Sequence, residues 1–258
     1  SFDLECRRIQ FTPDLLPSDV TGVSVFDRGA NAFSFRPGPV FANVVIGDEI
    51  NRASPKTQSA LLEAMQERQV TIDATTHALP SPFLVIGTQN PIEHEGTYPL
   101  PESQLDRFLM RIRMGYPARR AEIAILDTHG GAVAPVDDLS PVASAADVGS
   151  MINLAQSVHV APSLKGYIVD LAEATRRHGD LAVGVSPRAA LGLQRAARAR
   201  AAALGREYVV PDDLKELAFP VLEHRLALTP EAQMRGVARA DVLADAVGSV
   251  KIPTGRSG

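Results

Sequence analysis

Two adjacent carboxylates, Asp48 and Glu49, close a short apolar run of Val44, Val45 and Ile46 followed by Gly47. Such a run reads as a buried parallel strand, and ligands of open parallel sheets bind beyond the strands' carboxyl ends. Paired carboxylates in that place are unfavourable unless a cation or a reacting water engages them. One can serve Mg²⁺ through its water shell while the other orients or deprotonates a water attacking a terminal phosphate. A plainer role also fits, in which Asp48 caps the following turn and Glu49 is solvated.

Asn90 follows a second apolar run, Phe83 to Ile86, after Gly87-Thr88-Gln89. Its amide both donates and accepts, so it can hold an attacking water or a phosphate oxygen, or simply open the turn before Pro91. Arg107, in Glu102-Ser103-Gln104-Leu105-Asp106-Arg107-Phe108, carries the group suited to charge building on a transferred phosphoryl group. A surface arginine beside Asp106 is the ordinary alternative. Arg188 opens a helix within Gly184-Val185-Ser186-Pro187-Arg188. Cations are disfavoured at helix N-termini, which points to a nearby anion or a solvated side chain.

The elements that must position these groups alternate through the first part of the chain. Between the two apolar runs, Ser54-Pro55 is a helix start, with Leu61 and Met65 sharing one face. Met110, Ile112 and Met114 alternate with Arg111 and Arg113, which predicts a third strand, half exposed or at a sheet edge. Val23–Phe41 and Gln69–Pro82 each read as a hairpin excursion. Strand, helix and strand in this order predict an α/β sheet. Beyond Pro117 the pattern turns helical: Leu164, Ile168, Leu171 and Thr175 mark one face, and Ala189–Leu204 is alanine-rich. Pro211–Leu226 carries Leu214, Leu217 and Val221, with a kink expected at Pro220. The expected division is an α/β core over residues 1–116, a small helical domain over 117–250 and a loose tail over 251–258.

Bulk composition narrows the classes. Of 258 residues, 45% are hydrophobic and 22% charged, which fits a folded globular chain. A formal net charge of −4 provides no global basic field for nucleic acid or an anionic membrane. The basic face of Arg195, Arg198 and Arg200 reads as a solvated helix surface rather than a nucleic-acid contact. The single cysteine, Cys6, permits no internal disulfide, and no apolar run is long enough to span a bilayer; a cytoplasmic location is expected. Glu93-His94-Glu95 raises a metal-dependent hydrolase, but the six histidines are scattered without a His-x-x-x-His pair.

Taken together, the segment Val44–Ala53, Lys56-Thr57-Gln58 with Leu61–Met65, Gly87–Pro91, Pro99–Glu102 running into Leu105–Phe108, and Phe11–Asp19 resemble the MoxR family of AAA+ ATPases. The resemblance covers nearly the whole chain and is most specific over residues 7–117. It implies an AAA+ parallel-sheet core followed by a helical lid, with ATP and Mg²⁺ as ligands. It implies that Asp48 is the Walker B carboxylate serving Mg²⁺, Glu49 the catalytic carboxylate, Asn90 sensor 1, Arg107 an arginine finger acting on the neighbouring subunit's ATP, and Arg188 sensor 2. It also implies a hexameric ring that remodels client proteins, with von Willebrand factor A domain proteins as partners.

One family feature does not occur in the 258 residues: there is no Gly-x-x-x-x-Gly-Lys-[Ser/Thr] loop to cradle phosphates. In the family that loop precedes the strand containing Arg7–Phe11. With Ser1 as first residue and a strand almost at once, the expectation is a fragment of a longer ATPase, inactive by itself. The alternative is a non-catalytic subunit that keeps the fold and binds partners without hydrolysing ATP. Gly47 stands where the family usually has a bulkier apolar residue, and is expected to be tolerated.

Overall fold

Pairing between short β-branched runs sets the architecture. The computed structural model describes residues 2–29, 31–90, 97–129 and 140–253. In chain order come β1 (Phe2–Asp3), β2 (Cys6–Gln10), α1 (Pro17–Thr21), β3 (Gly22–Asp27), β4 (Ala32–Pro37), β5 (Val44–Asp48), α2 (Pro55–Glu67), β6 (Gln69–Ile72), β7 (Thr75–Ala78), β8 (Leu84–Gly87) and α3 (Glu102–Leu105). Then follow α4 (Arg119–His129), β9 (Ala143–Ser144), α5 (Ala145–Ser157), α6 (Pro162–Arg177), β10 (Leu181–Val183), α7 (Pro187–Ala203), α8 (Pro211–Leu222), β11 (Ala227–Leu228), α9 (Pro230–Met234) and α10 (Arg239–Ser249).

Strands β2, β5 and β8 form a parallel sheet in that order, with Gln10 opposite Asp48 and Gly47 opposite Gly87. Val45 and Ile9 are buried, and α2 lays Leu61, Leu62 and Ala64 into the same core. Ser54 caps α2 by accepting from the Thr57 amide at 3.4 Å, and Pro55 occupies the first helical position, where its missing N–H costs nothing.

Both excursions are antiparallel hairpins, β3 with β4 and β6 with β7. The second closes through Asp73 and Ala74, both at positive φ (47° and 64°), the two-residue turn whose twist matches the strands it joins. Phe35 of β4 stacks on His77 of β7 with ring centroids 4.0 Å apart, so the hairpins lean on one another.

The expected strand at Met110–Met114 does not form. Ile112 and Met114 are exposed, and no strand among the described residues lies beside the segment. Its backbone turns to the lid instead: the Arg111 amide donates to the Pro220 carbonyl at 2.8 Å, and Arg113 pairs with Glu223. The alternation of apolar and basic residues is real, but a strand requires a partner and this segment is anchored to α8.

Helices α6, α7, α8 and α10 enclose a second buried cluster that includes Leu164, Ile168, Leu171, Leu193, Leu214, Val221 and Leu243. Pro220 lies inside α8, and its carbonyl is the one the Arg111 amide uses. A short antiparallel pair, β10 with β11, adds to the helical reading of this region; three-residue runs carry too little periodicity to announce it. Inside the lid, Asp213 is a carboxylate only 2% exposed. Arg206 donates to both its oxygens at 2.8 and 2.6 Å, Arg200 adds a contact at 3.2 Å, and the Val210 amide donates at 2.9 Å. Burial opposes its ionisation, yet these donors hold its pKa below the usual carboxylate value. Asp213→Ala strips the cap from α8 and takes from Arg206 and Arg200 the buried carboxylate they share, leaving Arg206 the Tyr208 carbonyl and Arg200 the more exposed Glu216. It should lower stability by about 3 kcal/mol in urea unfolding with an unchanged m-value; a change within experimental error would contradict this account of the lid.

Candidate functional site

The end of β5 is where the chain turns most sharply. Glu49 adopts the left-handed region at φ 55°, ψ 48°, and a single 3₁₀ turn, Ile50–Arg52, follows. For a residue with a side chain this conformation costs about 1–2 kcal/mol. Packing holds it in place. Ile50 is buried and folds back over the sheet, where a Cβ on Gly47 or on Gly87 would lie 3.0 Å from its side chain. Phe11 and Phe108 close the same space from either side, at 3.1 and 3.3 Å. Gly47 is therefore more than tolerated: it and its cross-strand partner make the seat for Ile50.

Polar groups from all three strands converge on the two carboxylates. Thr88, the residue after β8, donates its hydroxyl to Asp48 Oδ1 at 2.5 Å and accepts from the Glu49 amide at 2.9 Å. Backbone bonds from Thr88 N to Gly47 O and from Ile50 N to Thr88 O fix it there. On the other side, Arg8 of β2 binds Asp48 Oδ2 through Nε at 3.2 Å and also through Nη2, which in turn donates to Gln10 Oε1 at 3.0 Å. Gln10 Nε2 and Arg52 Nη1 donate to Glu49 Oε2 at 3.0 and 3.1 Å. The Thr88 hydroxyl, followed by Arg8, holds the Asp48 carboxyl below the usual carboxylate range, so it is ionised at neutral pH. The cationic partners that paired carboxylates require are thus supplied within the chain, by Arg8 and Arg52. Both carboxylate side chains remain about a quarter accessible, 25% and 24%, from beyond the strand ends.

These donors are hard oxygens, which fits Mg²⁺ bound through water and substrate phosphate rather than in an all-protein cage. Accordingly, no cluster of three or more His, Cys, Asp or Glu converges among the described residues. The Glu93-His94-Glu95 run lies outside the described residues, as does Pro91.

Asn90 lies three residues beyond β8, the strand next to β5, and is half-buried. Arg107 is elsewhere: it lines a groove of about 380 Å³ with Gln104 and the Ser59, Glu63, Gln66 and Glu67 side of α2. Arg188 is exposed in the first turn of α7, beyond the Ser186 cap. The structure therefore joins Asp48, Glu49 and Thr88 directly, with Asn90 nearby in sequence, and sets Arg107 and Arg188 apart from them. Arg8, Gln10, Arg52 and Thr88 escaped the sequence reading. Strand parity is the signal that could have found them, since Arg8 and Gln10 share a face of β2 and Thr88 continues the register opposite Asp48.

Comparison with known proteins decides the family. The model of the ATPase family associated with various cellular activities (AAA) matches residues 1–110, and an AAA lid domain matches residues 173–246. The chain is 44% identical over 255 residues to chaperone MoxR1 of Mycobacterium tuberculosis, spanning 95% of this chain and 67% of that protein. The chain belongs to the MoxR family of AAA+ ATPases. It is also 48% identical over 257 residues to protein YeaC of Bacillus subtilis, all of this chain and 80% of that one. A crystal structure of a candidate ATPase from Cytophaga hutchinsonii superposes with a TM-score of 0.91 at 40% identity, covering 98% of this chain and 79% of that one. Membership carries nucleotide binding and oligomerisation as general properties of the family, and the AAA+ core with a helical lid is its fold. Among the described residues no helix is long and apolar enough to cross a membrane.

The backbone around Arg107 is held from the lid. His224, 2% exposed, donates from Nε2 to the Phe108 carbonyl at 3.2 Å, which leaves Nδ1 buried without a donor. Burial, reinforced by the charges of Arg225 and Arg111, drives its pKa from 6.5 down to about 4. The imidazole is neutral in the fold, whereas the unfolded chain takes up a proton first as pH falls. Stability is then complete above pH 6.5 and is lost progressively between 6.5 and about 4. Unfolding midpoints followed from pH 7.5 to 4.5 should show wild type losing on the order of 2 kcal/mol more than His224→Gln. Parallel pH profiles for the two proteins would refute the assignment.

Proposed function

We propose that the chain forms the catalytic carboxylate site and lid of an ATP-hydrolysing, chaperone-like remodelling factor. The observation that carries this is the ionised Asp48, held open to solvent beyond the strand ends and flanked by Glu49. Asp48 serves Mg²⁺, and Mg²⁺–ATP, when bound, supplies the phosphoryl group and its counter-charge. Glu49, released from Gln10 and Arg52, takes the proton of the attacking water at its carboxylate. Asn90 holds that water or the terminal phosphate.

Arg107 lines a groove beside α2 that neither carboxylate lines, which supports a role on ATP bound by a neighbouring subunit; Arg188 reaches nucleotide from the lid. A core over residues 1–116 and a lid over 117–250 then move against each other within a hexameric cytoplasmic ring. The likeness to chaperone MoxR1 supports a protein client; a von Willebrand factor A domain protein is the partner we propose. A second reading is a subunit that binds partners without turnover, since Arg8 and Arg52 already pair with the two carboxylates.

Glu49→Gln, made in the protein encoded by the whole reading frame around this chain, separates the two. Loss of the water-activating base should cut steady-state ATP turnover by ~10² while ATP stays bound. Unchanged turnover would remove Glu49 from the mechanism, and absence of turnover and of ATP binding in the wild type would establish the non-catalytic reading.

A further inference from the structure

Arg225 is a buried guanidinium at the seam between the sheet domain and the lid, and none of the roles above uses it. Its side chain is 4% exposed. Nη2 donates to the Phe108 carbonyl at 2.6 Å and lies 3.4 and 3.5 Å from those of Asp106 and Leu109. Nε approaches Asp106 Oδ1 at 3.2 Å. The same carboxylate meets the Ser186 hydroxyl at 3.4 Å, and Ser186 is the cap of α7, two residues before Arg188. Nη1 rests against Gly192 of α7, where a Cβ would come within 3.2 Å. One side chain of the lid therefore grips the backbone on both flanks of Arg107, and through Asp106 ties it to the helix that carries Arg188.

We propose that Arg225 is a positioning residue for Arg107, fixing its aim through the carbonyls of Asp106, Phe108 and Leu109 and coupling it to the lid helix α7. This rests on the reading of Arg107 as the residue that acts on nucleotide. A buried arginine that only joined two domains would need one good partner. Here one nitrogen, Nη2, meets the carbonyls of a single turn of backbone centred on one candidate functional side chain, while Nε pairs with the Asp106 carboxylate of the same turn. Lysine has a single terminal nitrogen and cannot stand both where Nη2 meets the carbonyls and where Nε meets Asp106.

The test uses the protein of the whole reading frame, with ATP turnover, binding of a fluorescent ATP analogue and hydrogen exchange measured on the same variants. Arg225→Lys should lower kcat about tenfold, as expected of a misaimed group, and leave analogue affinity within about twofold. In an Arg107→Ala background it should cause no further loss, because both changes remove one function. Asp106→Asn, which keeps the side-chain shape, should repeat the pattern and covers the case in which the lysine variant folds poorly. Amides of Arg107, Phe108 and Leu109 should exchange faster in Arg225→Lys while those of α6 do not change.

An equal fold-loss in both backgrounds, or normal kcat in Arg225→Lys beside a defective Arg107→Ala, overturns the proposal alone. Normal kcat in Arg107→Ala overturns the reading of Arg107 and this proposal with it. Unaltered exchange at Arg107–Leu109 overturns the grip whatever the enzyme does.

Discussion

An ionised carboxylate at the end of the middle strand is the constraint on which the candidate site depends. Asp48 sits at the carboxyl end of β5, and charge in that place must be matched. The flanking strands do this, β2 through Arg8 and β8 through the Thr88 hydroxyl. The match requires the three strand ends to be level, and the parallel register provides it. It also requires the chain to leave β5 at once, which places Glu49 in the left-handed region and folds Ile50 over Gly47 and Gly87. Two glycines, one threonine and two arginines are thus the conditions for two carboxylates to stand side by side in partial contact with water.

A second constraint acts at the seam. The segment Asp106–Met114 belongs by sequence to the sheet domain, yet its backbone is bonded to Arg225, His224 and Pro220 of the lid. Buried polar groups seek partners wherever they are in reach, and here the lid supplies them. The backbone on both flanks of Arg107 is thereby held by lid residues.

The sequence made much of this fold readable where a single element carries its own signal. Ser54-Pro55 announced α2, the spacing of Leu164, Ile168, Leu171 and Thr175 announced α6, and Val44–Asp48 announced a buried strand with its charge at the end. Both hairpins were legible from glycine, proline and threonine clusters between apolar runs. Features that depend on two distant elements were not. Arg8 and Gln10 carried no signal of their own; register, which sets Gln10 opposite Asp48 and Arg8 one pleat back on the same face, brings them to the carboxylates. Met110–Met114 had the alternation of a strand but no partner, a fact no local pattern carries. His224 and Arg225 lay in what read as the end of a helix, more than a hundred residues from the backbone they hold.

Mg²⁺-dependent binding of ATP through Asp48 tests the central claim most directly. Titration calorimetry on the protein of the whole reading frame, with and without Mg²⁺, should show that Mg²⁺ strengthens ATP binding in the wild type. In Asp48→Asn, which preserves the Thr88 contact but removes the charge, the effect of Mg²⁺ should vanish while the fold persists. An Asp48→Asn protein that binds ATP with the same Mg²⁺ dependence as wild type would contradict the account, leaving Asp48 as a structural partner of Arg8 and nothing more.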